Sequence, residues 1–227
     1  AGVPKAYRYS DLTANKQDLN IYTKLQQQLS SHWQGFADIQ VKAIKYNING
    51  FKNNPQLIIN KNYLFINPKF GVTYNNKNYQ AYLSYSMAGK EPNRDDFEAG
   101  LNQLPRAEIL HDVELGVEKK TSSYSFGATA YYMYYHNQLV LTGKINDVGS
   151  YTRTNTPSSY RMGLEFSGKA ELLQWLNASA NIAFSRNKIK DFTEYVDDYD
   201  NGGQKSFQYH NTDISFSPNI VAGATIN

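Results

Sequence analysis

Apolar and polar residues alternate with period two along most of this chain, and that pattern limits the possible folds more than any other feature. Tyr160, Met162, Leu164, Phe166, Gly168 and Ala170 share one parity; Arg161, Gly163, Glu165, Ser167 and Lys169 hold the other. A strand sends alternate side chains to opposite faces, so this segment has one apolar and one charged face. A helix would mix them around its surface. The pattern recurs at residues 176–184, 124–134, 79–85 and 37–43, and more weakly at 19–29, 70–74, 113–117 and 220–226. It predicts about nine strands. Several alternate long enough to cross a bilayer as tilted strands, which takes about 9–11 residues; soluble strands typically have about five or six.

The connections carry the second signal. Short turns are expected near residues 30–32, 75–78, 120–123 and 171–174. Long polar stretches at 50–62, 89–107, 143–158 and 192–212 separate them. Short and long connections alternate strictly, as in a transmembrane β-barrel with tight periplasmic turns and long external loops. A soluble sandwich has no need to gather its long loops at one end. Trp33, Tyr124 and Trp175 fall at or beside short turns, where an interfacial aromatic belt would place them. On this reading Asp38, Lys42, Glu114, Glu118, Arg161, Glu165 and Lys169 point into the lumen.

Composition removes the rivals. The 227 residues include no cysteine, which excludes a disulfide scaffold, a thiolate zinc site and a Cys nucleophile. Lys and Arg number 23 against 20 Asp and Glu, and a net charge of +3 does not mark a nucleic-acid binder. Aromatic residues, at 14%, are too frequent for a disordered chain. No stretch of about 20 residues is apolar enough for a spanning helix, and the uncharged run at 121–143 alternates like a strand. The chain opens AGVPKAYRYS, without an initiator Met or a leader pattern. About seventeen loop-like residues come first, and the last strand ends as the chain does. Single-chain bacterial barrels use even strand counts, so nine strands predict an internal slice of a larger barrel.

Ordered strings then resemble one family. They are FINPKFGVTY (65–74), YSMAGKEPNRDDF (85–97), HDVELGVEKK (111–120), YYMYYHNQLVLTGKINDVG (131–149), NTPSSYRMGLEFSG (155–168) and SRNKIKDFTEY (185–195). In this order and spacing they resemble the barrel region of TonB-dependent outer-membrane receptors of the ferric-siderophore type. The resemblance implies an all-β, antiparallel barrel of about 22 strands around a plug domain. Residues 1–227 would form part of that barrel, without the plug or the terminal strands. The implied function is import of a scarce ligand, an iron–siderophore or haem-type chelate. The implied partners are outer-membrane lipid, a small extracellular ligand such as a ferric chelate, and TonB acting through the plug. No nucleic acid and no cofactor is expected, and the location would be the outer membrane of a Gram-negative bacterium.

Candidate ligand contacts lie in the long stretches. Glu91, Pro92, Asn93, Arg94, Asp95, Asp96 and Phe97 form a loop in which Arg94 and the acids can pair internally. A structural brace is preferred there over ligand contact. Tyr151 and Arg153 suit an anionic, aromatic chelate, although a solvated loop is the simpler reading. The acidic run 197–203, with Tyr199, lacks the Glu of an EF-hand and defaults to a solvated loop. The four histidines show no metal-ligand spacing. No nucleophile–base pair or carboxylate pair suggests catalysis, so the chain reads as a transporter part and not an enzyme. The rivals are a soluble β-sandwich that binds carbohydrate and an outer-membrane barrel enzyme.

Overall fold

The computed structural model describes residues 12–52, 54–99, 104–145, 149 and 151–227. They build one antiparallel sheet of ten strands: β1 (Thr13–Gln28), β2 (Trp33–Asn49), β3 (Ile58–Asn76), β4 (Tyr79–Lys90), β5 (Glu108–Lys120), β6 (Tyr124–Ile145), β7 (Tyr151–Leu173), β8 (Leu176–Asp197), β9 (Gln204–Asp213) and β10 (Ile220–Ile226). Among the described residues the one helical element is a 3-10 turn, Arg94–Ala99. Strands β1 to β8 pair in chain order. β9 pairs with the outer half of β8, from Asp197 to Lys188, and β10 pairs with its other half, from Phe184 to Ala178. The two are pieces of one sheet position, so ten strands fill the nine positions that the alternation predicts. Residues 214–219 split them. Pro218 has no N–H to give a ladder, and Phe216 sits at φ 58, outside any strand conformation.

Register turns the alternation into two faces. Val72, Leu83, Leu115, Ala130, Leu164, Phe184 and Ile220 run opposite one another across seven strands. Most of these side chains are exposed. A row on the other face reads Asp38, Lys69, Ser86, Asp112, Met133, Arg161 and Asn187. Lys42, Glu114, Glu118, Glu165 and Lys169 share that parity. A broad exposed apolar face has no partner in water, but in a bilayer it needs none, since the ladders satisfy the backbone. The sheet is the wall of a transmembrane β-barrel.

Glycines let rings lie flat on the charged face. Gly116 stands opposite Tyr82 in the ladder, and a Cβ there would meet the Tyr82 ring. A ring over a strand glycine recovers packing that glycine itself lacks.

The boundaries differ from the sequence reading in an instructive way. β1 begins at Thr13, inside the stretch expected to be loop, while residues 1–11 lie outside the described residues. The expected loops at 143–158 and 192–212 are mostly strand, since β7 starts at Tyr151, β8 runs to Asp197 and β9 occupies Gln204–Asp213. These extensions run beyond the apolar band, where polar residues fill both parities and alternation fades. The turn expected at 171–174 is the pair Gln174–Trp175, with a register shift between Glu171 and Leu173. All four short turns do lie at one end of the sheet, and the long connections lie at the other.

Leu115→Lys, near the middle of the apolar band, is expected to destabilise the whole protein in vesicles by about 2–4 kcal/mol in urea unfolding. Thr129→Lys, on the charged face opposite Gly116 and Glu165, should change it by under about 1 kcal/mol.

Candidate functional site

The charged face changes character toward the loop end. On β2 the lumenal parity runs Lys42, Ile44, Tyr46, Ile48; on β3, Ile59 and Phe65 join it. Beyond Lys42, these side chains form a buried apolar cluster with Phe51, Leu57 and Phe97. Phe97 comes from the 3-10 turn between β4 and β5. It is 0% exposed and meets Tyr46 edge-on at 5.4 Å. The loop therefore folds back onto the inner wall. The cluster excludes water from its underside.

Ion pairs fix the first half of this strap. Glu91, buried at its start, accepts hydrogen bonds from Lys16 Nζ (2.7 Å) and Lys42 Nζ (3.1 Å); Asp18 lies 3.7 Å from Lys42. Burial pushes the Glu91 carboxyl up, but hydrogen bonds from Lys16, its own backbone and Lys42 outweigh that and hold it below its ordinary value of 4.5. Asp96 is 4% exposed. Arg153 of β7 donates to it through Nε and Nη2, both at 2.7 Å, and the Asn93 N–H donates at 2.7 Å. The returning limb is tied as well. The Arg106 N–H donates to Asn155 Oδ1 at 2.7 Å, and Asn155 Nδ2 donates to the Arg106 carbonyl at 3.0 Å. The strap thus joins β2 to β7, five positions away in the sheet order, which a flat sheet would not allow.

A cavity of about 470 Å³ opens beside it, lined by Leu141, Arg153, Arg161, Glu194, Tyr209 and Phe216 among others. Arg161 Nη1 donates to Ser217 Oγ at 2.8 Å, tying β7 to the segment that splits β9 from β10. Phe216, in that segment, is 99% exposed. Two guanidinium groups beside aromatic rings suit an anionic, partly aromatic guest.

The sequence candidates divide accordingly. Asp96 and Arg153 meet as one pair, the carboxylate buried and the guanidinium partly exposed. Arg94 does not pair with its neighbouring acids as expected; its guanidinium lies 5.2 Å over the Phe51 ring, and Asp95 is exposed. Tyr151 donates its hydroxyl to Asp197 Oδ2 at 2.9 Å. Gln204 donates to Asp197 and to the Gly143 carbonyl, so the tips of the β6–β7 and β8–β9 hairpins are joined. Tyr199 projects from the second tip, 92% exposed. Asp198 closes that turn through the Asn201 amide and Lys205. Among the described residues no group of three His, Cys, Asp or Glu could hold a metal. Glu194, Tyr209 and Phe216 escaped sequence reasoning because only the β8–β9 pairing and the break bring them together. The approach of His111 to His136, at 6.2 Å between rings, escaped it for the same reason.

The family described as TonB dependent receptor-like, beta-barrel has a model that matches residues 2–226. The chain belongs to that family. Its members are outer-membrane proteins of Gram-negative bacteria that take up ligands such as siderophores and metals. No curated protein matches the sequence. Among solved structures, the siderophore receptor PiuA of Acinetobacter baumannii is similar with a TM-score of 0.74 at 15% identity, over 95% of this chain and 31% of that one. The ferric yersiniabactin uptake receptor FyuA of Yersinia pestis gives 0.67 at 15%, over 95% and 32%. The copper transporter OprC gives 0.66 at 11%, over 78% and 30%. The chain thus spans about a third of the length of the receptors whose fold it shares.

Asp96→Asn breaks a bidentate pair with a buried carboxylate and should free the strap. Because Arg153 is partly exposed, a local loss of about 1–3 kcal/mol is expected. Amide exchange at residues 93–98 should accelerate roughly 5- to 150-fold, with Arg153→Gln adding little to the double variant. A depressed carboxyl pKa stabilises above the unfolded value and is lost as pH falls through the folded one. The Glu91 contribution should therefore be complete above about pH 5.5 and fall away below 4.5. Exchange at the Glu91 and Asn93 amides between pH 6 and 3, intrinsic rates divided out, should show that loss, and Glu91→Gln should abolish it.

Proposed function

We propose that residues 1–227 are part of the barrel of a TonB-dependent transporter, set in the outer membrane of a Gram-negative bacterium, that captures an iron–siderophore or haem-type chelate at its loop end. The plug and the terminal barrel strands lie outside this stretch, and TonB acts through the plug. The cavity between β6–β8 and the β9–β10 break carries the reading. It sets Arg153 and Arg161 beside Tyr209 and Phe216, matching the carboxylates and rings of such chelates. Arg94, Asp95, Tyr151 and Tyr199, exposed on the loop-end segments, make first contact, and Asp96 acts by holding Arg153 and the strap. The chain binds and passes its ligand without covalent chemistry.

The test uses the full-length receptor. Ferric siderophores, haemin and cupric ion are titrated against it, and iron uptake is followed in cells with and without TonB. A ferric chelate or haemin should bind, TonB-dependent uptake should follow, and Arg161→Gln should weaken binding about 5- to 30-fold. Binding of cupric ion alone, or uptake indifferent to TonB, would overturn the assignment.

A further inference from the structure

The cavity beside the strap has a charge balance that an anion alone does not satisfy. Four charged side chains line it: Arg153, Arg161, Glu194 and Asp213. Two of them already have partners of opposite charge. Arg153 is held by Asp96 and Asp213 by Lys188, each at 2.7 Å. One group of each sign is left. Arg161 has a hydroxyl, that of Ser217, as its partner. Glu194 is half-buried, and the Tyr209 hydroxyl hydrogen-bonds to it. A phenol donor does not cancel the charge of a carboxylate. Among the described residues Glu194 has no cationic partner, and no ion pair joins it to Arg161 although one cavity holds both.

The strand register sets rings around this carboxylate. Phe192 lies opposite Tyr209 in the β8–β9 ladder, and Glu194 lies opposite Phe207. Glu194 shares a face with Phe192, and Tyr209 is its diagonal neighbour across the ladder. Phe192, Glu194 and Tyr209 all line the cavity. A carboxylate flanked by aromatic faces suits an organic ammonium group, which meets the charge of the first and the quadrupoles of the others. A guest with negative charge alone would face an unpaired acid across the cavity, and that juxtaposition works against it.

We propose that the cavity selects a zwitterionic guest: a chelate whose free arm carries a carboxylate, taken by Arg161, and a protonated amine, taken by Glu194 beside Phe192 and Tyr209. The guanidinium fork matches the carboxylate oxygens two at a time. Glu194 is then the residue that separates amine-bearing chelates from purely anionic ones. The inference rests on the reading of this cavity as the capture site for a chelate, and it narrows that reading to guests with both charges.

The full-length receptor is titrated with three probes built on one ferric trihydroxamate. The first carries a lysine joined through its α-nitrogen, which leaves the α-carboxylate and the ε-amine free on a flexible arm. The second has that amine acetylated. The third has the carboxylate as its methyl ester. Wild type should bind the first probe about 5- to 20-fold better than either of the others, as for one charged hydrogen bond at a partly open site. Glu194→Gln should bind the amine and the acetamide alike while still preferring the acid to the ester. Arg161→Gln should bind the acid and the ester alike while still preferring the amine to the acetamide. Equal binding of amine and acetamide by wild type overturns the inference, and that comparison needs no variant to fold. The same preference for the amine in wild type and Glu194→Gln overturns it as well. Ferric siderophores and haemin, titrated in parallel, separate the two readings. If they bind while the lysine probe fails, or binds no better than its acetamide, the inference falls and chelate capture stands. If none of them binds, both fall.

Discussion

A backbone crossing lipid has no solvent to bond with, so each strand depends on the ladder of its neighbours. In this sheet that requirement also sets the register, because only one register keeps both faces uniform. With Leu164 opposite Ala130 and Phe184, Arg161 falls opposite Met133 and Asn187. A slip of one residue would carry Arg161, Glu165 and Lys169 to the lipid side and Leu164 to the lumen. Adjacent ladders would then disagree about which face is which. The apolar face, the charged face and the placement of every lumenal group follow from that single alignment.

The alignment holds only over the height of the bilayer. Above it the lumenal parity can become apolar, since it no longer has to face the aqueous channel. On β2 the step from Lys42 to Ile44 marks that change, and the strap settles there. Phe97 is buried because Tyr46 and Ile48 present a surface for it. The charged groups at its margins gain strength from the water it excludes. Glu91 and Asp96 are buried carboxylates, and each would be destabilising alone; Lys16 and Lys42 offset the first and Arg153 the second. The apolar cluster and the ion pairs thus depend on each other, and both depend on the curl that brings β7 within reach of β2.

The transmembrane part was legible in the sequence because one physical rule, apolar to lipid and polar to lumen, acts on every residue there. Nine sheet positions, four short turns at one end and the lumenal set from Asp38 to Lys169 all emerge from parity. Where the rule stops, so does legibility. β1 near Thr13 and β7 near Tyr151 lie beyond the apolar band, and their polar strings look like loops. Asn137 and Asn211 adopt left-handed conformations, at φ 53 and φ 55, inside strands that alternate on either side of them. Asn tolerates that region better than most residues, but an Asn in a polar stretch gives no hint of it. The Asp96–Arg153 pair spans 57 positions of chain, and only the curvature of the sheet brings the two together.

The break in the ninth position shows how such a local exception becomes part of the site. An unbroken strand there would run flush against β8 and leave the lumenal face of β7 and β8 open. Pro218 and the turn at Phe216 instead lift residues 214–219 off the ladder, while Ile214 and Ser185 keep backbone bonds that pin its two ends. The lifted segment makes the far wall of the cavity and gives Arg161 a neutral partner, Ser217, in place of an acid. A hydroxyl binds a guanidinium less strongly than a carboxylate does. Of the two cations in the cavity, Arg161 is therefore the one an incoming anion can take without breaking an ion pair. Arg153 is held by Asp96, so a guest that engages it also competes with the strap. A ligand reaching both would gain contact at Arg161 and loosen the loop through Arg153, and the difference between those partners is written in residues 96 and 217, not in the arginines.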